Sequence, residues 1–344
     1  MNHAGFLRGR SQPVIAMLVI VVCSVTLGFS SSAYGVDHSS TTSKTTTSSG
    51  SPNNALANSL KVTSIPRDLT PPLNLFTSQS TAWPATARSL VDTCDALSHP
   101  ILQNAPKPCL LGDPNGTKTI VLAGDSIAAG WAPALNRGLR SSGYRLAVFP
   151  FSGCPMADMN FTGFIDGKPA SHCDTWHKNV SSAIMSLHPD AVILSSVANI
   201  PGVDLTSARW SAGIKKFFDS VSTSPHKPTR ILIGLSPEMV GNMPACLSVH
   251  SNPQDCSVNG RYWRLFQENE MVRDRTNARI AGARLIPAVQ WLCATKGCSP
   301  VIGKYLVYAD SAHLTMAYSL SIATQVTSAV LGTINSGQSS TPAS

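Results

Sequence analysis

Three residue types that together perform acyl transfer occur where one fold can bring them together: a serine at 126, an aspartate at 310 and a histidine at 313. Ser126 follows Gly124 and Asp125, and a glycine there allows the tight turn by which a strand hands over to a helix. The Asp125 side chain can bond back to the nearby backbone. A serine at a helix start also stands near the orphan N–H groups, where developing negative charge is stabilised. The structural alternative is a plain helix cap. Downstream, Tyr308-Ala309-Asp310-Ser311-Ala312-His313-Leu314 puts a carboxylate three residues before an imidazole. Such an aspartate can hold one ring nitrogen, set the tautomer and leave the other nitrogen to take a serine proton. Alternatively, Asp310 caps the following helix and His313 belongs to its first turn. The two elements say more together than singly, because a nucleophile needs a base.

Short apolar runs predict buried strands over residues 119–123, 145–151, 191–197, 230–235 and 283–289. Helical patterns lie between them. One spans 128–142 and is closed by Gly143, and a second ends over 181–187 at His188-Pro189. Others span 207–221, 263–278 and 314–331. Strands alternating with helices imply an α/β fold, a three-layer α/β/α sandwich with a five-stranded parallel sheet. Sheets of this kind place their sites at the carboxyl ends of their strands. Ser126 ends the first core strand, and Asp310 and His313 precede the last helix.

With these placements the chain resembles the SGNH (GDSL-type) hydrolase family, over about residues 118–332. It is most similar to the SGNH domains fused to membrane acyltransferase-3 proteins. The features that carry the likeness are Gly124-Asp125-Ser126 with Trp131 and Pro133 after it, Gly153-Cys154-Pro155, Cys173 with Trp176, and Asp310-Ser311-Ala312-His313-Leu314. The resemblance implies a Ser126–His313–Asp310 triad and O-acylation chemistry on envelope or secreted glycans. It also implies that the backbone N–H of Gly153 joins that of Ser126 in an oxyanion hole, with a simple turn before Cys154 as the alternative for that glycine. The family's third block carries Gly-x-Asn, whereas this chain reads Ser195-Ser196-Val197-Ala198-Asn199. The third donor is then Asn199, a serine hydroxyl or none. Losing one such donor costs about 100- to 1000-fold in rate. Asp125 and Trp131 are candidates for the substrate pocket, although a packed aromatic is the favoured role for the indole.

The surrounding chain reads as an exported protein. Arg8 and Arg10 precede an apolar stretch from Val14 to Phe29, and Ala33-Tyr34-Gly35 offers small residues for cleavage. Residues 1–35 are therefore a signal peptide, or an uncleaved anchor that tethers the chain to a membrane. The expected divisions that follow are a Ser/Thr/Pro-rich flexible linker over 36–84, an extension packed on the core over 85–117, a catalytic domain over 118–335 and a disordered tail over 336–344. Of nine cysteines, Cys23 lies in the apolar stretch. The other eight fall into close pairs, and in an exported chain that favours disulfides 94–109, 154–173, 246–256 and 293–298, spanning Cys94, Cys109, Cys154, Cys173, Cys246, Cys256, Cys293 and Cys298. The rival metal reading, His172-Cys173 with His177, lacks a second Cys-x-x-Cys element, so neither metal nor cofactor is expected.

The net charge of +8 and a charged content of 13% come without a Lys/Arg block or aromatic–basic interleaving, which speaks against nucleic acid. The expected substrate is an acylated carbohydrate or another ester. With no multi-span acyltransferase region read in the chain, a separate membrane acyltransferase is the expected functional partner. Two other functions compete: a non-catalytic glycan-binding or assembly module on a degenerate form of this fold, and a lipase or thioesterase.

Overall fold

A computed structural model of the chain describes residues 52–76, 106–160, 164–165, 168–169, 171–197, 208–222 and 227–338. These fall in one of two compact units, Ser49–Ser344. Six strands make the main sheet: β1 (Cys109–Gly112), β2 (Lys118–Gly124), β3 (Tyr144–Pro150), β4 (Ala191–Ser195), β5 (Thr229–Ile233) and β6 (Arg284–Ile286). Their order is β1-β3-β2-β4-β5-β6. β2 through β6 are parallel, and β1 runs antiparallel along the edge of β3, Cys109 opposite Val148. The expected five-stranded sheet is therefore corrected to six strands. β1 is four residues long with one strongly exposed leucine, Leu110, so it has no apolar run to announce it. Its place comes from pairing with β3.

The parallel strands are buried on both faces, and alternate residues feed two cores. Ile120 and Leu122 of β2 join Leu146, Ile193 and Ile231 on one face. Val121 and Ala123 join Phe149, Val192 and Leu194 on the other. The helices that cover these faces are α1 (Ser126–Gly138), α2 (Ser171–Ser186), α3 (Ala208–Ser220), α4 (Met243–Val249), α5 (Gly260–Leu265), α6 (Met271–Ala281), α7 (Val289–Leu292), α8 (Met316–Ser321) and α9 (Ala323–Gln338). α1 and α9 contribute Trp131, Leu135, Val326 and Val330 to the first core, and α2 and α3 contribute Trp176, Val180, Phe217 and Phe218 to the second.

Two expected helices differ in detail. The helix expected over 263–278 starts at Gly260 and passes through a π turn, Phe266–Glu270. The last helix, expected as one piece over 314–331, is two, because Ile322 leaves helical geometry at φ −101° and ψ 13°. Part of the expected flexible linker, 36–84, also builds on the core. Pro52–Asn58 is helical, and the Gln254 side-chain amide donates to the carbonyls of Ser59 (2.9 Å) and Val62 (2.8 Å). Thr70 donates to the Lys304 carbonyl and accepts from the Leu306 N–H. Leu69 is buried, and Leu56, Ile65 and Leu73 pack against the core. These spaced apolar residues sit in a Ser- and Pro-rich composition that hides them.

The structure joins Cys154 to Cys173, Cys246 to Cys256 and Cys293 to Cys298. Cys109 is also disulfide-bonded, and Cys94 lies outside the described residues. Among the described residues no helix is long and apolar enough to cross a membrane.

A buried carboxyl anchors α6 to the sheet. Asp274 is 7% exposed, and its Oδ2 accepts from the Leu235 N–H at 2.8 Å. Gly234 leaves room for it, since a Cβ there would meet Asp274 Oδ2 at 2.6 Å. Burial pushes this carboxyl up to about 6, against the Leu235 bond and the charges of Arg273 and Arg275. A raised value means that folding favours the protonated form, so the contribution is full below the unfolded carboxylate range and is lost as pH rises through about 6. Between about pH 4 and pH 7, urea melts of the wild type should lose roughly 3 kcal/mol relative to Asp274→Asn. Parallel stability curves for the two proteins would refute this assignment.

Candidate active site

Ser126 is the first residue of α1, directly after β2 ends at Gly124. Gly124 holds φ +145°, and a Cβ on it would lie 1.9 Å from the Ser195 carbonyl oxygen, so only glycine fits where β2 passes β4 here. Asp125 caps α1, its Oδ1 accepting from the Ile127 N–H at 2.9 Å. As the first helical residue, Ser126 has a backbone N–H with no acceptor inside the helix.

Asp310 and His313 lie in a loop closed on itself by Ala309 N–H to the His313 carbonyl and Thr315 N–H to the Val307 carbonyl. Asp310 Oδ1 accepts from the N–H groups of Ala312 and His313, both at 2.8 Å. Its Oδ2 lies 2.7 Å from His313 Nδ1, and His313 Nε2 lies 2.7 Å from Ser126 Oγ. An ionised carboxylate only accepts, so Nδ1 carries the ring proton and Nε2 is the acceptor for the serine hydroxyl. Burial alone would raise the Asp310 carboxyl, but the His313 bond and charge and the two backbone donors outweigh it and hold it below its ordinary value. The aspartate is thus kept as the anion that this geometry needs. The side chains of His313 and Asp310 are 27% and 26% exposed, so a ligand can reach them.

α1 also carries the seam that brings these distant segments together. Pro133 has no N–H and interrupts the helix from within. At the very next residue, the hydroxyl of Ser319 on α8 is spliced into the ladder, accepting from the Ala134 N–H (3.2 Å) and donating to the Gly130 carbonyl (2.8 Å). Ser319 is fully buried. α8 follows directly on the His313 loop, with Thr315 as its cap. The interruption in the helix of Ser126 is therefore the docking point for the helix beside His313.

The remaining expected site residues fall in different places. Gly153 lies just past the end of β3, whose Pro150 is level with Gly124, and the Phe151 N–H donates to the Gly124 carbonyl at 2.8 Å. Its φ of +78° suits glycine. Asn199 lies outside the described residues. Asp125 and Trp131 are not pocket residues. Asp125 is wholly buried, with Oδ2 accepting from the Ser196 hydroxyl (2.7 Å) and the Val197 N–H (2.8 Å). Burial raises its carboxyl, against these bonds and the charge of His313. Trp131 is wholly buried against Trp291, its indole N–H donating to Ser195 Oγ at 3.2 Å. Each of these side chains is consumed by core partners that its position beside Ser126 did not reveal. Ser195 and Ser196 are themselves buried, Ser195 Oγ accepting from Trp131 and Ser196 giving its hydroxyl proton to Asp125, which removes the Ser196 hydroxyl as an oxyanion donor. Their contribution is to join the end of β4 to α1.

Among the described residues, three groups of side chains have metal-ligand spacing. In two of them, Cys154/His172/Cys173 and Cys246/His250/Cys256, the sulfurs are held in disulfides and are not thiolates. In the third, Asp158/Asp174/His177, Asp158 pairs with Lys216 at 2.9 Å and His177 Nε2 bonds to the Pro155 carbonyl.

The pattern described as "SGNH domain (fused to AT3 domains)" matches residues 93–328. No curated protein matches the chain. Among solved structures, the periplasmic domain of a lipopolysaccharide acetyltransferase from Salmonella ser. Paratyphi A is similar at 17% identity and a TM-score of 0.49, over 63% of this chain and 85% of that one. Est24, a carbohydrate acetylesterase from Sinorhizobium meliloti, is similar at 12% identity and a TM-score of 0.39, over 63% of this chain and 99% of its own. An aryl esterase of M. Smegmatis is similar at 14% identity and a TM-score of 0.38, over the same shares.

The seam can be tested without reference to activity. Ser319→Ala leaves the buried Ala134 N–H and Gly130 carbonyl without their hydroxyl partner, and it should cost about 2 kcal/mol or more in urea unfolding. Ser321→Ala, which removes only a local bond to the Tyr318 carbonyl, serves as the control. Equal midpoints for the two variants would show that Ser319 does not hold the seam.

Proposed function

Because the chain belongs to the family of SGNH domains fused to AT3 domains, we propose that it is an exported serine O-acyl esterase or acyltransferase that acts on acylated carbohydrate. The observation that carries this reading is the continuous relay from Ser126 Oγ through His313 to Asp310, two contacts of 2.7 Å each, at side chains a ligand can reach. In the proposed reaction His313 Nε2 takes the Ser126 proton as Oγ attacks the ester carbonyl carbon. Asp310 holds the resulting imidazolium. The N–H groups of Ser126 and Gly153 receive the oxyanion. Collapse breaks the ester C–O bond, and His313 returns its proton to the departing sugar oxygen. The acyl group, now on Ser126, passes to water in an esterase or to an acceptor hydroxyl in a transferase, with His313 again as base.

The family's fusion to AT3 domains supports a membrane acyltransferase as functional partner. The intact relay favours turnover over a non-catalytic glycan-binding module.

A fluorophosphonate probe should label the wild type and leave Ser126→Ala unlabelled. Absence of label on folded wild type would overturn the catalytic reading. Asp310→Asn should lower kcat by about 10,000-fold, because the imidazole loses its imposed tautomer. Acetylated envelope glycan, incubated with and without an acceptor sugar, separates the outcomes. Released acetate indicates an esterase and acetylated acceptor a transferase, while action confined to long acyl esters would indicate a lipase.

A further inference from the structure

One helix grips the Gly153 loop at two consecutive residues. Cys154 is bonded to Cys173, and the Pro155 carbonyl meets His177 Nε2 at 2.9 Å. Cys173 and His177 are four residues apart on α2, so both anchors stand on the same helical face. Cys154 and Cys173 have no exposure and His177 has 1%. A carbonyl only accepts, so the ring proton sits on Nε2. The ring lies against Trp176 and meets the edge of Phe217, at centroid distances of 5.1 Å and 5.6 Å. Burial keeps it neutral, pulling its value down to about 4 against the opposing influence of Asp158 and the Pro155 bond. An apolar residue would fill this space without the desolvation cost of an imidazole. What the histidine adds is polar contact with the loop, a directed bond to the Pro155 carbonyl and, at 4.0 Å, Nδ1 facing Asp158 Oδ1. On its far side the same loop is tied by the Met156 N–H to Ser196 Oγ, whose hydroxyl proton goes to Asp125, the cap of the helix that starts at Ser126.

We infer that His177 and the Cys154–Cys173 bridge form a two-point clamp that aims the Gly153 N–H at the oxyanion, with His177 as a positioning residue for acylation of Ser126. This rests on the role proposed above for Gly153. Gly153 holds φ +78° immediately before the first anchor, and among the described residues no group accepts its N–H. A displaced donor loses most of its worth in the transition state while ground-state binding changes little.

The test compares wild type, His177→Phe, His177→Gln and the double variant Cys154→Ser with Cys173→Ser, each checked for folding by thermal melt. The readout is the acylation burst with p-nitrophenyl acetate. His177→Phe keeps a ring but loses the donor, and it should acylate on the order of 10- to 100-fold more slowly with little change in KM. His177→Gln places an amide N–H where Nε2 stood and should recover most of the rate. The double cysteine variant should lose acylation rate in the same way as His177→Phe. If His177→Phe does not fold, His177→Asn takes its place, having the same amide but being one methylene too short to reach the Pro155 carbonyl. Wild-type acylation in the donor-less His177 variant, or a Gln variant as slow as it, would overturn the clamp alone. A wild type that forms no acyl-Ser126 would overturn the role of Gly153 and the clamp with it.

Discussion

A serine and a histidine from opposite halves of the chain meet at 2.7 Å, and that contact depends on how closely α1 can approach α8 and α9. Two features of α1 permit the approach. A Cβ on Gly138 would overlap Thr327 Oγ1 at 1.9 Å. Pro133 interrupts the helix ladder, and at the adjacent rung the Ser319 hydroxyl bridges the Ala134 N–H and the Gly130 carbonyl. A proline inside a helix is normally a cost of about 3 kcal/mol or more. Here the rung beside the proline is bonded to the Ser319 hydroxyl of α8, which ties the His313 loop to the helix of Ser126.

Two aspartates beside this contact show how environment divides one side-chain type into two roles. Asp125 is wholly buried and satisfied by three donors, and burial still pushes its carboxyl up. Asp310 is partly exposed and also well supplied with donors, one of them the His313 ring, and it is held down. Asp125 joins the start of α1 to the end of β4. Asp310 orients an imidazole toward the serine. The difference is solvation and a directly hydrogen-bonded ionisable partner.

Much of this was legible beforehand. The parallel strands follow from unbroken apolar runs, and the helices between them from apolar spacing. The turn at Gly124 and the three-residue step from Asp310 to His313 are local patterns whose geometry the backbone imposes. Other parts were not legible. β1 has too little apolar content to stand out, and residues 52–76 hide spaced core contacts in a linker-like composition. A tryptophan five residues after a serine is compatible with lining a cleft and with filling a core, and Trp131 is wholly buried. His177 and Ser319 carry no motif at all, since their significance is a carbonyl on another loop and a broken bond in another helix.

The sequence by itself determined the alternation of elements, the residue types able to move an acyl group and their placement at strand and helix ends, because these depend on periodicities and turns that span a few residues. The tertiary structure alone decided which polar groups are consumed in the core and which face a ligand. It sent Asp125, Ser195, Ser196 and Trp131 inward and left Ser126, Asp310 and His313 accessible. The physical reason is that burying a polar group is tolerable only against a partner, and the Trp131–Ser195 and Asp125–Ser196 pairs each join segments remote in sequence. No local pattern encodes such a pairing, and it comes into being only when the sheet and its covering helices close.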